Sequence, residues 1–111
     1  MFVLPLLIAA APAGACAEAT STPEIVACFA RRARLADARL NTAYRDARAR
    51  VPTRQASALQ VAQRAWIAFR DANCRAAAAG EGTVARIEGA QCLADTTAAR
   101  PAELERFARR Y

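Results

Sequence analysis

The residues with the clearest chemical potential are four cysteines, in a chain that has no histidine. They are Cys16, Cys28, Cys74 and Cys92, and the gaps between them are far wider than those of the close-set pairs in a structural zinc site. An even number of cysteines in a small exported chain instead predicts two disulfides, with three pairings open. We therefore expect neither a bound metal nor a cofactor.

Catalytic groups are harder to find. Without histidine, the usual serine or cysteine nucleophile has no base. Glu81 and Glu88 could serve as the paired carboxylates of a glycosidase, but they lie in or near a glycine-rich turn with no apolar pocket evident around them. Surface charge in a loop is the simpler interpretation, and we predict that the chain is not an enzyme.

The chain is strongly basic, with a net charge of +6 and arginine but no lysine. Such a charge suits an acidic partner. Arginine without lysine in an alanine-rich chain is also typical of a GC-rich genome, and no nucleic-acid motif accompanies the charge, so nucleic-acid binding is not expected. Four arginines lie opposite the apolar stripe of the first predicted helix, as a solvated face or as a docking face for an acidic partner: Arg31, Arg34, Arg45 and Arg48.

An apolar run occupies the start of the chain, from Met1 to Ala11, and small residues follow it. The run is too short to span a bilayer and predicts a signal peptide over residues 1–15, with cleavage after Ala17 as the alternative. Because no Lys or Arg precedes it, either the natural start lies upstream or the signal is weak. We expect a periplasmic or secreted protein without a transmembrane segment after cleavage; lipidation of Cys16 is the minor alternative, since Ala13 replaces the usual leucine.

The remaining residues, 16–111, predict one helical domain. The sequence Ser21-Thr22-Pro23-Glu24 has the form of a capping box, and apolar residues then recur at helical spacing until Pro52. A second helix is predicted from Thr53 to Ala79, with an apolar line through Leu59, Ala62, Trp66 and Phe69 to Asn73.

Glycines at positions 80 and 82 break the second helix. Residues 84–91 are ambiguous, and a last helix follows Cys92, which Pro101 should kink or restart. The predicted fold is an all-α, small antiparallel helical bundle with a long central helical hairpin, stapled by disulfides.

Arg70 is unusual because the helical spacing places it near the Trp66–Phe69 face, with Gln63 two turns earlier on the same side. A guanidinium beside an apolar stripe needs partners. The candidates are Asp37 or Asp46 on the first helix, an acid of the last helix, or the ring of Trp66 through a cation–π contact. We favour a polar clasp between helices over a binding site.

The segment from Gln63 to Cys74, QRAWIAFRDANC, resembles the central motif of the LprI-like lysozyme inhibitor family. Other parts of the chain resemble further elements of that family: Leu40-Asn41-Thr42-Ala43-Tyr44, Gly82-Thr83, and a closing motif with Cys92, Thr97, Arg100 and Leu104. The likeness extends from Cys16 to about Phe107. It marks the following residues as the structural motif: Leu40, Asn41, Tyr44, Gln63, Trp66, Arg70 and Asp71.

The resemblance implies an exported, all-helical binding protein that blocks lysozyme. It places Cys16 inside the mature domain, and with it we expect the two local disulfides, Cys16–Cys28 and Cys74–Cys92. The second would pin the glycine turn to the end of the second helix. Pro101 departs from the family, whose helix usually continues uninterrupted there.

Binding to lysozyme or another cell-wall glycosidase meets an objection, because many lysozymes are themselves basic. A local acidic surface would avoid it, and the candidate is a loop that enters the enzyme's cleft: Gly80, Glu81, Gly82, Thr83 and Glu88. The alternative function is a periplasmic envelope or scaffold protein that binds anionic lipid, an anionic polymer or an acidic protein through the basic face of the first helix. A structural module without a ligand is a third possibility.

Overall fold

The computed structural model describes the backbone of residues 13–111 and the side chains of residues 16–111. A short 3₁₀ helix, Ala13–Glu18, precedes three long helices: α1, Thr22–Arg50; α2, Thr53–Ala77; and α3, Gly82–Ala108. No strand occurs within these residues, which confirms the all-α prediction. The predicted signal segment falls mainly on residues 1–12, outside the described part.

The start of α1 follows from its local sequence. The Ser21 hydroxyl accepts a hydrogen bond from the Glu24 N–H at 3.2 Å, as an N-cap residue should. The Glu24 carboxylate accepts from the N–H of Thr20 at 3.3 Å, so it also helps to satisfy the backbone just before the helix. At the other end the chain leaves the helix at Val51, and Pro52 leads directly into α2.

α3 is longer than the sequence predicts, because the ambiguous residues 84–91 are helical and the helix continues through Pro101. The expected restart at Pro101 is therefore wrong. A proline removes one backbone hydrogen bond, but tertiary packing can offset that loss. Here Thr97 and Leu104, one turn to either side, are each only 1% exposed. At its start, Gly82 has φ +78°, a conformation that favours glycine and sets the beginning of the helix.

α2 and α3 form an antiparallel hairpin, and α1 packs alongside α3. Contacts between α2 and α3 join Gln63 to Arg100 and Cys74 to Cys92, so the two helices run in opposite directions. α1 runs parallel to α3. Arg32, in the first half of α1, reaches Asp95 at the middle of α3, and Ala47, further along α1, packs in the same cluster as Leu104, further along α3. α3 is thus the central helix.

The core is divided into two clusters. One contains Cys16, Cys28, Phe29 and Ala94, and the other contains Leu40, Ala47, Leu59 and Leu104. Residues of α1 and α3 contribute to both clusters. The polar side chains of the central motif lie between them along α2.

The predicted apolar line of α2 is partly wrong. Leu59 is buried, but Ala62 and Asn73 are exposed and Phe69 is 62% exposed. The face that packs on α3 is shifted by one residue and holds Gln63 and Cys74 instead. This shift is possible because the inward polar groups find hydrogen-bond partners on α3, as described below.

The two disulfides are Cys16–Cys28 and Cys74–Cys92, with Cα–Cα distances of 5.6 and 5.4 Å. This is the pairing that the family resemblance implies. Because the sulfur of Cys16 is bonded to Cys28, it is not free to form the thioether of a lipoprotein. Among residues 13–111, no helix combines the length and the apolar character needed to cross a membrane.

Candidate functional site

Trp66 stands at the centre of the polar region between α2 and α3. The Cζ atom of Arg70, one turn further along α2, lies 5.4 Å from the ring centroid, and the Cζ of Arg100, on α3, lies 5.3 Å from it. Both distances fall in the range of cation–π contacts. We call the surrounding set of side chains the clasp: Gln63, Trp66, Arg70, Asp71, Thr97, Arg100 and Glu103.

Arg100 links the two helices directly. Its Nε donates to Oε1 of Gln63 at 3.1 Å, and its Nη1 donates to Oε2 of Glu103 at 2.9 Å. Gln63 is only 6% exposed, so this guanidinium satisfies an amide oxygen that water scarcely reaches.

Arg70 makes the second link. Its Nε donates to Oδ1 of Asp71 at 3.0 Å, its Nη2 lies 2.9 Å from the same oxygen, and its Nη1 donates to the Thr97 hydroxyl at 3.5 Å. The expected partners Asp37 and Asp46 are wrong, since the carboxylate comes from the next residue of α2. The cation–π contact with Trp66 is confirmed.

The clasp is internally satisfied. No buried polar side-chain atom within residues 16–111 lacks a hydrogen-bond partner. The side chains of Arg70 and Arg100 are 16% and 15% exposed, and each already holds a carboxylate and the Trp66 ring. This arrangement favours a structural role, because both guanidinium groups are mostly buried and their contacts lie within the hairpin of α2 and α3. Nor do the described residues contain a group of side chains that could hold a metal ion.

The motif residues of α1 pack near the clasp. Leu40 is 2% exposed in the cluster with Leu59 and Leu104, and Tyr44 packs against the same cluster. Asn41 is exposed and donates to Asp37 at 3.4 Å. The structure therefore brings most of the sequence motif together around the interior.

The candidate binding loop is mostly helical, contrary to prediction. Gly80 and Glu81 lie in the turn between α2 and α3, whereas Gly82, Thr83 and Glu88 belong to the first two turns of α3. All five are exposed. We call residues 80–88 the tip.

The tip is firmly anchored. Cys74–Cys92 joins the last turn of α2 to a point about three turns into α3, just behind the tip. A Cβ at Gly89 would lie 2.7 Å from that of Ala78, so the helices approach more closely here than another residue allows.

One face of the tip combines charge with an apolar side chain. Val84 and Glu88 are four residues apart in α3 and share one side of the helix, and Glu81 is exposed in the turn directly before it. Val84 is 61% exposed, and neither glutamate is in an ion pair among the described residues. Val84 was not among the predicted loop residues, although its four-residue spacing from Glu88 is a signal in the sequence.

The basic face of α1 is a separate surface. Arg31, Arg34, Arg45 and Arg48 are all exposed, and none of them forms an ion pair with another described residue. Arg48 lies over the Tyr44 ring, with its Cζ 5.7 Å from the centroid. Arg34 borders a groove of about 520 Å³ that Arg70 and Thr97 also line.

Glu103 was not among the predicted residues, and Thr97 and Arg100 were identified only through the family resemblance. Their signal is spacing, since the three residues are separated by three positions each and share a face of α3. That spacing could have indicated a polar stripe, but not which residues of α2 it meets.

The model of the lysozyme inhibitor LprI family matches residues 14–104 of the chain. The chain belongs to the LprI family. The matched segment of this LprI protein includes both disulfides, the whole clasp and the whole tip. Comparisons with curated proteins and with solved structures give no match.

At the level of the family, LprI proteins are lysozyme inhibitors rather than enzymes. In this chain, the side chains of the clasp mainly hold α2 against α3. A surface that contacts another protein must therefore be sought outside the clasp.

Proposed function

We propose that this chain binds a lysozyme and blocks its cleft with the tip. The family match supports inhibition as the activity. The exposed side chains of Val84 and Glu88, with Glu81 in the adjoining turn, support the choice of surface. An apolar side chain flanked by two carboxylates offers both contact area and charge to a basic enzyme.

Rigidity supports the same surface. The Cys74–Cys92 disulfide and the close approach at Gly89 hold the tip before any partner is bound. A preorganised segment loses less conformational entropy on binding than a flexible loop does. The narrow end of a two-helix hairpin is also a shape that can enter a concave site.

The local charge of the tip differs in sign from the net charge of the chain, so a basic lysozyme need not be repelled there. The whole chain carries +6, which disfavours approach to a basic lysozyme. Arg86 is exposed in this region but lies only two residues from Val84 and from Glu88, and therefore off their face. The contacting face would present two carboxylates while the arginines of α1 lie on another helix.

Export completes the proposal. The protein would act in the periplasm or outside the cell, where disulfides persist. We place the end of the signal peptide before Cys16, because cleavage after Ala17 would remove Cys16 together with its bond to Cys28.

Substitutions on the tip test this surface. We expect Glu81→Ala and Glu88→Ala each to raise the concentration needed for half-inhibition of a lysozyme by about three- to tenfold, as for the loss of an interfacial charge worth about 1 kcal/mol. Inhibition would be measured on cell-wall substrate at low and physiological salt. Glu105→Ala is the matched control, an exposed carboxylate on the last turns of α3. If both tip variants inhibited as well as the control, the tip would not be the contact surface.

A further inference from the structure

The outward side of α2 is apolar. Six residues share one side of the helix at spacings of three and four, and every one of them is exposed: Val61, Ala62, Ala65, Ala68, Phe69 and Ala72. We call them the α2 outer face. Val61 and Phe69 are 69% and 62% exposed. Single exposed apolar residues are ordinary, whereas a contiguous apolar face indicates a surface that binds something.

This face continues into a groove between α2 and α3. Ala62 belongs to the α2 outer face and also lines the groove, which has a volume of about 490 Å³. Leu59 of α2 and Leu104 and Phe107 of α3 line it as well. The apolar surface is thus wider than one helix.

Unpaired arginines border the apolar surface on both sides. Arg64 and Arg75 lie three residues from Val61 and Ala72 respectively, along one edge of the α2 outer face. Arg106 and Arg110 line the groove on the other side. None of these four forms an ion pair within residues 16–111.

Acidic groups near this surface are already engaged. The single carboxylate of α2, Asp71, is paired with Arg70, and Glu103 in the groove is paired with Arg100. The surface therefore presents apolar side chains bordered by net positive charge.

We propose that the α2 outer face binds an anionic phospholipid surface, with α2 lying parallel to the membrane. Val61 and Phe69 enter the boundary between headgroups and acyl chains, while Arg64, Arg75 and Arg106 meet phosphate groups. Burial of apolar side chains and attraction to anionic headgroups add in this geometry.

Charge favours lipid over a second copy of the chain. Two copies that joined their α2 outer faces would bring the bordering arginines of both molecules together, and like charges across an interface oppose association. Apolar content separates this surface from the basic face of α1. α1 also carries exposed arginines, but its only large exposed apolar residue is Leu35.

Vesicle co-sedimentation tests the proposal. The oxidised chain from Ala13 to Tyr111 would be used, since it contains all three helices and both disulfides without the apolar start. We expect binding to phosphatidylglycerol vesicles, little binding to phosphatidylcholine vesicles, and weakening as salt is raised. Phe69→Ser should weaken partitioning about tenfold, and Arg64→Gln with Arg75→Gln should weaken it by a similar factor.

Two matched variants keep the test selective. Leu35→Ser removes an equally exposed apolar side chain from α1 and should leave partitioning within about twofold of wild type, because Leu35 lies outside the bound surface. Replacing Arg31, Arg34, Arg45 and Arg48 with glutamine should weaken it less than the α2 changes do. Equal affinity for both kinds of vesicle, a dominant effect of the α1 arginines, or a dimer in sedimentation that Phe69→Ser dissolves would each overturn the proposal.

Discussion

Replacing Cys74 and Cys92 together with serine will lower the free energy of unfolding by about 3 kcal/mol and remove lysozyme inhibition. The bond closes a segment with a sequence separation of 18, which contains the whole tip. Without it, the unfolded chain gains conformational freedom, and the folded chain loses the constraint that holds the α2–α3 turn. Denaturant unfolding would measure the first effect, and a cell-wall lysis assay the second.

The other disulfide provides the control. Cys16→Ser with Cys28→Ser opens a segment with a separation of 12, so the loss of stability should be similar, at about 2–3 kcal/mol. That bond lies in the cluster with Phe29 and Ala94. Ile87 of the tip packs against this cluster, but the bond does not close the α2–α3 turn. Where both variants are still folded, inhibition should survive loss of Cys16–Cys28 and fail without Cys74–Cys92. Equal inhibition by both variants would contradict the importance of a rigid tip.

Arg100→Ala will destabilise the fold by about 2–3 kcal/mol, the second large effect we expect. The change removes a charged donor from Gln63, whose side chain is buried, and leaves Trp66 with one guanidinium instead of two. It also frees Glu103 from its ion pair. Most of the cost comes from the amide oxygen of Gln63, which water cannot easily reach.

A double-mutant cycle would isolate that contact. Unfolding would be compared for Arg100→Ala, Gln63→Ala and the combination, and a coupling of about 1 kcal/mol or more is expected for a buried charged hydrogen bond. Arg106→Ala is the matched control, since Arg106 is exposed on the same helix and should change stability by no more than about 0.5 kcal/mol. Additive effects at positions 63 and 100 would mean that the clasp contributes no specific linkage.

The sequence predicted helix ends correctly where nearby residues determine them. Ser21 caps α1 and Pro52 separates α1 from α2, and both are visible in the sequence because their chemistry is local. α3 was harder, since Pro101 argues locally for an interruption. The burial of Thr97 and Leu104 on either side of it depends on helices distant in sequence, and no local pattern contains that information.

The contacts of the clasp could also be predicted only in part from the sequence. Helical spacing predicted that Gln63 and Arg70 face inward, and the requirement for partners followed from their chemistry. Spacing could not choose the partners, because Arg100 is 37 residues from Gln63. It also placed Phe69 in the core. Steps of three and four residues from Trp66 lead to Phe69 and Arg70, which flank the line through Trp66 on opposite sides, and the packing of α3 decides which of them faces inward.

Inhibition by the unaltered protein is the most direct test of the proposed function. The oxidised chain would be titrated against several types of lysozyme on cell-wall substrate, at physiological salt. We predict inhibition that rises with concentration, reaches completion near one inhibitor per enzyme when binding is tight, and persists when salt is raised, since Val84 contributes apolar contact beside the two glutamates. If no lysozyme were inhibited by protein with both disulfides intact, the proposal that this chain blocks lysozyme through its tip would be wrong.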